Sequence, residues 1–466
     1  MMPANGLQYA PPHPCQCYID EKLNGMNALA PEPRPGAPVQ PERIGVRETG
    51  PAFGMAAGQA AGAEDWAVFR ADSMRTASIA TALPAQPELL WRKEIGSGIA
   101  APISVGDRVF APVADRHSVV ALNAADGGEL WEFHAGARVD SPPAFHNGTL
   151  IFGSADGWVY CLRAEDGALV WRFRAAPAER RIGAFDQIES AWPVHGSVLV
   201  MDGVVYCAAG RSSHLDGGLR LYAIDASTGK MLRQATLEGP DYDVETMGDQ
   251  NYGLPMGSIP DILLGDGSRI FMREQIFDAQ LKEQPKAAGK AANVLQAKGG
   301  LLDDSYFKRA PWTLGSTIPY ANLIALDSAA AYAVQMFDTL QGLDPSVYFV
   351  PGGKGYLLYS KDIASGRKEW EWRVPVRVTA MAAAGDRLFA AGVPDMIAAD
   401  DPLGAFEGRL GAFLFAVDKK SGEKTWETRL QAAPAFDGLI AANRRLFIAT
   451  QDGALSCYGD RTGRQK

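Results

Sequence analysis

A five-residue strand phrase followed by a glycine recurs six times, and it restricts this chain to an array of small sheets. The copies are Val119–Asn123, Val159–Arg163, Leu221–Asp225, Leu358–Asp362, Leu414–Asp418 and Leu455–Gly459. Four residues after each stands Gly127, Gly167, Gly229, Gly366, Gly422 or Gly463. Four residues further on, four of the copies place Trp131, Trp171, Trp370 and Trp426. Apolar alternation within the phrase fits a half-buried strand, and the following glycine supplies the positive φ of a tight turn into the next strand. A further strand precedes most copies, as in Arg108–Phe110, Thr149–Phe152, Val204–Tyr206, Arg387–Phe389 and Arg445–Ile448, and a weaker one precedes that. Four short antiparallel strands in about forty residues make one blade of a β-propeller.

The count of repeats gives seven blades from about residue 88 onward. The interval from Gly229 to Gly366 is too long for one blade, so it must hold a degenerate one, with Ile270–Arg273 as a strand. An eighth blade is expected only if the 237–345 stretch conceals another. The text Leu89-Leu90-Trp91-Arg92 reads as an outer strand lying ahead of the first full blade. It is expected to pair with the last blade, closing the ring and removing an exposed edge. The expected fold class is therefore all-β, a single propeller of seven four-stranded blades, with eight as the alternative count.

The spacing Ala-x-Asp, three residues, Gly, three residues, Trp resembles the tryptophan-docking repeat of the pyrroloquinoline-quinone-like (PQQ-like) propeller family. Ala416 to Trp426 matches it fully, Ala121 to Trp131 has Asn123 for the aspartate, and Ala223 to Arg233 lacks the tryptophan. The resemblance implies that each indole packs flat on the neighbouring blade. Asp65-Trp66-Ala67-Val68-Phe69-Arg70 resembles the phrase that opens a propeller in large planctomycete-type bacterial proteins of this kind. In them, text like residues 5–31 is the tail of a preceding propeller. The reading is thus of a proline-rich, cysteine-containing segment at 1–50, a linker at 51–63 and a propeller at 64–466, with an upstream domain lying before Met1. The same resemblance implies a periplasmic or extracellular location, although no signal peptide pattern opens the chain.

Composition excludes some roles. The net charge of −9 and the absence of a basic cluster argue against a nucleic-acid partner. No apolar run reaches the eighteen or so residues of a spanning helix. Cys15 and Cys17, close to His13, fit disulfide partners of an upstream segment better than a zinc site, which needs four ligands. Cys161, Cys207 and Cys457 read as small buried hydrophobes within strands.

Catalytic motifs are missing: there is no phosphate-binding glycine loop, no His-Glu-x-x-His and no nucleophile elbow. The adjacent cysteines and the haem motif found in larger quinone dehydrogenases of the family are also missing. Three stretches break the repeat and are the places where function would sit. The first supplies Trp192, His195, Arg211 and Asp216, the second Asp261 and Arg273, and the third Asp303, Asp304, Arg309 and Trp312. These charges could converge near the central channel to hold a cation or a glycan. The alternative, favoured here, is that they are buried pairs tying irregular blades together. His195 and His214 read as satisfied strand-end histidines. Lys308 and Pro311 depart from the residues commoner in the bacterial relatives, which puts a metal role for the third stretch in doubt. Lys286–Gly300 reads as a surface insertion. The expectation is a non-catalytic recognition or scaffolding protein with no cofactor or metal, binding a protein or polar ligand. The alternative is a PQQ- and calcium-dependent dehydrogenase of alcohols or sugars.

Overall fold

The computed structural model describes residues 1–11, 26–31, 43–55, 58–239, 257–260, 262–273, 275–285, 294–298, 301–302, 311–336 and 351–461. Asp261, Asp303, Asp304, Arg309, Cys15, Cys17 and His13 lie outside them. The described residues are all-β: nine sheets, apart from one 3-10 turn at Ala114–Arg116. Eight sheets follow one another along the chain as antiparallel units of three or four local strands, in propeller fashion. The first strands of successive sheets touch, as Leu199–Met201 does Leu263–Gly265 and Val376–Ala384 does Pro434–Ala442. Pro434–Ala442 in turn touches Ile103–Val105 of the earliest sheet.

The strand Glu88–Glu94 pairs antiparallel with Ala454–Gly459, with Trp91 opposite Cys457. The interval from Gly229 to Gly366 holds two sheets beyond the one that contains Gly366. One is Leu263–Gly265, Arg269–Met272, Gln275–Asp278 and Glu283–Gln284; the other is Leu295–Ala297, Trp312–Leu314 and Ile318–Ala321. The expected surface insertion at Lys286–Gly300 is therefore corrected over its described part. Leu295 and Ala297 are buried, because their strand packs into a core with Leu264, Phe271 and Trp312.

The segment at 1–50 is woven into the sheets rather than irregular throughout. Met2–Ala4, Leu7–Ala10 and Asn27–Leu29 form a sheet with the hairpin Arg181–Ala184 and Gln187–Ser190, while Arg47–Thr49 adds to the edge strand Leu169–Arg174.

The repeat owes its spacing to contacts between neighbouring sheets. The indole of Trp91 donates to the carbonyl of Ala124 at 3.0 Å, Trp131 to Ala164 at 3.2 Å, Trp171 to Ala226 at 3.0 Å and Trp370 to Lys419 at 2.9 Å. Each ring lies against the turn glycine of the next sheet, so tightly that a Cβ on Gly229 would sit 2.6 Å from Trp171 Cδ2. These glycines also hold positive φ, so space and backbone together exclude a side chain.

A second device was not legible in the sequence. The segment from Glu64 onward runs among eight sheets and reaches residues in or beside each of them. Trp66 and Ser104 exchange backbone hydrogen bonds of 2.9 and 3.0 Å, and the amides of Phe145, Gly265, Leu326, Ala383 and Asn443 donate to Ala67, Ser73, Thr76, Ala77 and Glu64. The fully buried Arg75 donates to the carbonyls of Leu263 and Val198, each at 3.0 Å. Arg70 pairs with Asp437 at 2.6 Å and lies 4.3 Å over the ring of Trp312, which supplies the remaining sheet.

Candidate functional site

Antiparallel alternation fixes which loops share a face. In a four-stranded sheet, the turn between the second and third strands lies at the same end as the link to the next sheet. The long insertions at 175–198, 210–218 and 395–411 occupy such positions, so all three face the same way. Hydrogen bonds join neighbouring members of this face: Val194 N to Ser154 O, Gly210 N to Pro193 O, Ser213 N to Ser258 O, and Ser141 Oγ to Gly196 O.

Trp192, Arg211 and Asp216 come together there. The Trp192 indole donates to the Asp216 carbonyl at 3.0 Å, while Arg211 at 2.6 Å and Arg180 at 3.1 Å converge on the Asp216 carboxylate. Asp216 holds φ 54, a strained setting that these contacts stabilise. His195 is buried beside the Glu189 charge. Arg273 is buried on the neighbouring sheet and reaches the carbonyl of Lys298. Trp312 lies elsewhere, fully buried beneath Arg70 at the centre.

Arg138, Asp140 and Arg180 belong to this site, although no motif announced them. The Arg138 guanidinium meets Asp140 at 3.0 Å and Glu189 at 2.8 Å, with all three side chains buried, and stacks over Phe185 at 4.5 Å. Burial opposes its charge, but the two carboxylates outweigh burial and hold its pKa above the ordinary arginine value. Burial pushes the Glu189 carboxyl up, against the pull of Arg138. The only sequence signal was Arg-Val-Asp standing where a strand leaves its sheet, and that signal is weak.

This arrangement binds loops to one another. A bound calcium ion needs six to eight oxygens. Here Asp140, Glu189 and Asp216 each already face a guanidinium, and among the described residues no three His, Cys, Asp or Glu side chains are grouped to hold a metal. Burial pushes the Cys161 and Cys207 thiols up to about 12, away from the thiolate form.

A family profile described as "Outer membrane protein assembly factor BamB" matches residues 75–270. The chain is 32% identical over 97 residues to the protein of that name from Burkholderia pseudomallei, covering 20% of this chain and 25% of that one. It is 32% identical over 107 residues to its counterpart from Salmonella typhimurium, covering 19% and 27%. The matched part thus spans about a quarter of those relatives. Among solved structures, quinohemoprotein alcohol dehydrogenase from Comamonas testosteroni superposes with a TM-score of 0.55 at 13% identity, over 85% of this chain and 81% of that one. That likeness concerns the fold alone. The repeat spacing and the match over residues 75–270, a little under half of the chain, support a β-propeller of the PQQ-like repeat kind.

Proposed function

We propose that this chain is a non-catalytic recognition and scaffolding propeller, working outside the cytoplasm of a bacterium in the assembly of outer-membrane proteins. Eight blades would form its ring, closed by Glu88–Glu94, with residues 64–466 as the propeller and 1–50 laid along it as an accessory segment. One observation carries the reading: the charged side chains of the insertion face answer one another, as Arg138 does Glu189 and Arg211 does Asp216. They shape a rigid surface for a partner instead of converging on a reacting atom. The partial similarity to assembly factors supports the same class of role. No helix among the described residues is long and apolar enough to cross a membrane.

In the test, purified chain is offered to detergent-solubilised outer-membrane assembly machinery, with an Arg211→Glu, Arg273→Glu variant as control. Retention of the machinery by the parent, and its loss in a variant that still melts normally, supports the proposal. In parallel, the protein is mixed with PQQ and calcium and assayed for dye reduction with alcohols and sugars. Robust turnover would establish the dehydrogenase alternative, in which the same face would surround the quinone.

A further inference from the structure

A cavity of about 460 Å³ opens beside the insertion face, between the sheet ending in Glu129–His134 and the sheet ending in Leu169–Arg174, beneath the hairpin at 181–190. Its size falls within the range of small-molecule pockets. Its charge is anomalous. The chain carries a net −9, yet four guanidinium groups line this cavity (Arg172, Arg174, Arg180 and Arg181) against the carboxylates of Asp156, Glu179 and Glu189.

Two of those carboxylates are turned inward on the protein. Asp156 accepts hydrogen bonds from Tyr160 Oη at 2.5 Å, from Gly136 N at 2.9 Å and from Trp158 N at 2.9 Å. Glu189 is held by Arg138 at 2.8 Å. Burial pushes both carboxyls up.

The arginines are engaged unequally. Arg172 pairs with Glu48 at 2.5 Å and covers one face of the Trp158 ring at 4.4 Å, and Arg180 pairs with Asp216 at 3.1 Å. Arg181 and Glu179 are 3.8 Å apart, with their side chains 73% and 68% exposed. Among the described residues the Arg174 guanidinium has no ion pair or side-chain hydrogen bond. Strand register places Arg174 directly opposite Trp158, and Arg172 opposite Tyr160, so aromatic rings and guanidinium groups share one wall. An indole face beside a guanidinium fork suits a ring that carries an anion: the ring stacks and the fork takes two oxygens.

We propose that this cavity is a binding site for an anionic sugar, a carboxylate or phosphate borne on a pyranose-sized ring. Arg174 and Arg181 would hold the anion, and the sugar ring would stack on the Trp158 face opposite Arg172. The cavity shares Arg180 and Glu189 with the partner-binding face proposed above, and sugar binding is measured separately from partner retention.

Titration calorimetry on the whole chain tests this with glucuronate, a glucuronate-containing disaccharide, glucose 6-phosphate, inorganic phosphate and neutral glucose. The two anionic classes distinguish a polysaccharide source from a free sugar phosphate. At least one anionic sugar is expected to bind, at least tenfold more tightly than glucose and more tightly than inorganic phosphate. Arg174→Gln and Arg181→Gln should each weaken it tenfold or more without moving the melting temperature, and Trp158→Leu should weaken the sugars but not phosphate. Because Arg174 has no side-chain partner among the described residues and Arg181 is exposed, neither replacement threatens folding. Absence of binding by every anionic sugar, equal binding of glucose, or affinity unchanged in both arginine variants would overturn the proposal.

Discussion

Tryptophan and glycine divide the work of joining sheets, and the division can be measured residue by residue. Gly422 and Gly366 occupy equivalent turns with φ of 74° and 69°. A Cβ on Gly422 would lie 2.6 Å from Trp370 Cδ2, whereas a Cβ on Gly366 would meet nothing within 4 Å. Both alanine replacements incur the backbone cost of positive φ, about 1 kcal/mol, but only Gly422→Ala must also displace an indole. Overpacking typically adds 1–3 kcal/mol. Chemical denaturation should therefore show Gly422→Ala to be the more damaging by at least about 1 kcal/mol, and equal losses would refute the docking account. Trp171 is fully buried, and Trp171→Ala should lose about 3–5 kcal/mol in the same measurement. Gly366 has a free approach because the preceding sheet ends without a docking tryptophan. That is also why the sequence concealed that sheet: Leu295–Ala297, Trp312–Leu314 and Ile318–Ala321 contain neither a docking glycine nor a tryptophan at the repeat position.

At the scale of the turn, the aspartate that closes three of the six repeat phrases (Asp225, Asp362 and Asp418) orders the hairpin. Asp418 Oδ1 accepts from Ser421 N at 2.8 Å and Lys420 N at 2.9 Å, and Asp225 Oδ1 accepts from Thr228 N at 2.7 Å. Asn123 does the same for Ala125 N at 2.8 Å, which explains how asparagine stands in one copy. The Ser421 amide holds the Asp418 carboxyl below its usual value, despite some desolvation. Side-chain bonds from Ser365 do likewise for Asp362. A depressed carboxylate contributes stability above its unfolded pKa near 3.8, and this is lost as pH falls through the lower folded value. Stability should thus decline below about pH 4. Asp418→Asn, which keeps the acceptor but cannot titrate, should flatten part of that decline in melts from pH 6 to pH 3. Asp418→Ala should cost about 1 kcal/mol at neutral pH. If Asn and Ala behave alike, the turn does not depend on the acceptor.

Over the whole molecule, the segment from Glu64 to Ala85 works as a central tie. Its bonds run from backbone carbonyls and two arginines to residues far away in sequence, so no local pattern could reveal it; only the Trp66–Arg70 phrase was visible. Arg75 shows the cost of this design. Burial lowers its pKa to about 10, with Asp72 pulling the other way, and five carbonyl or hydroxyl oxygens share its guanidinium. Replacing it leaves those acceptors unsatisfied, at roughly 1–3 kcal/mol for each buried group. Arg75→Met should lower the melting temperature far more than Arg174→Gln and broaden the transition, as the sheets lose a shared anchor. A sharp melt at the parent temperature would show that neighbouring sheets suffice. The site was legible to the same degree as the fold. Arg211 and Asp216 lie close in sequence and could be paired by eye, whereas Arg138 meets Glu189 only because a hairpin folds back over two sheets.

The pairing of Glu88–Glu94 with Ala454–Gly459 has a temporal consequence. Ribosomes make Trp91 long before Cys457, so throughout most of translation the ribbon around Leu89 and Trp91 has a bare hydrogen-bonding rim and no mate. A nascent polypeptide in that condition invites cross-pairing with a neighbour, and the cell must shelter it until the late partner emerges.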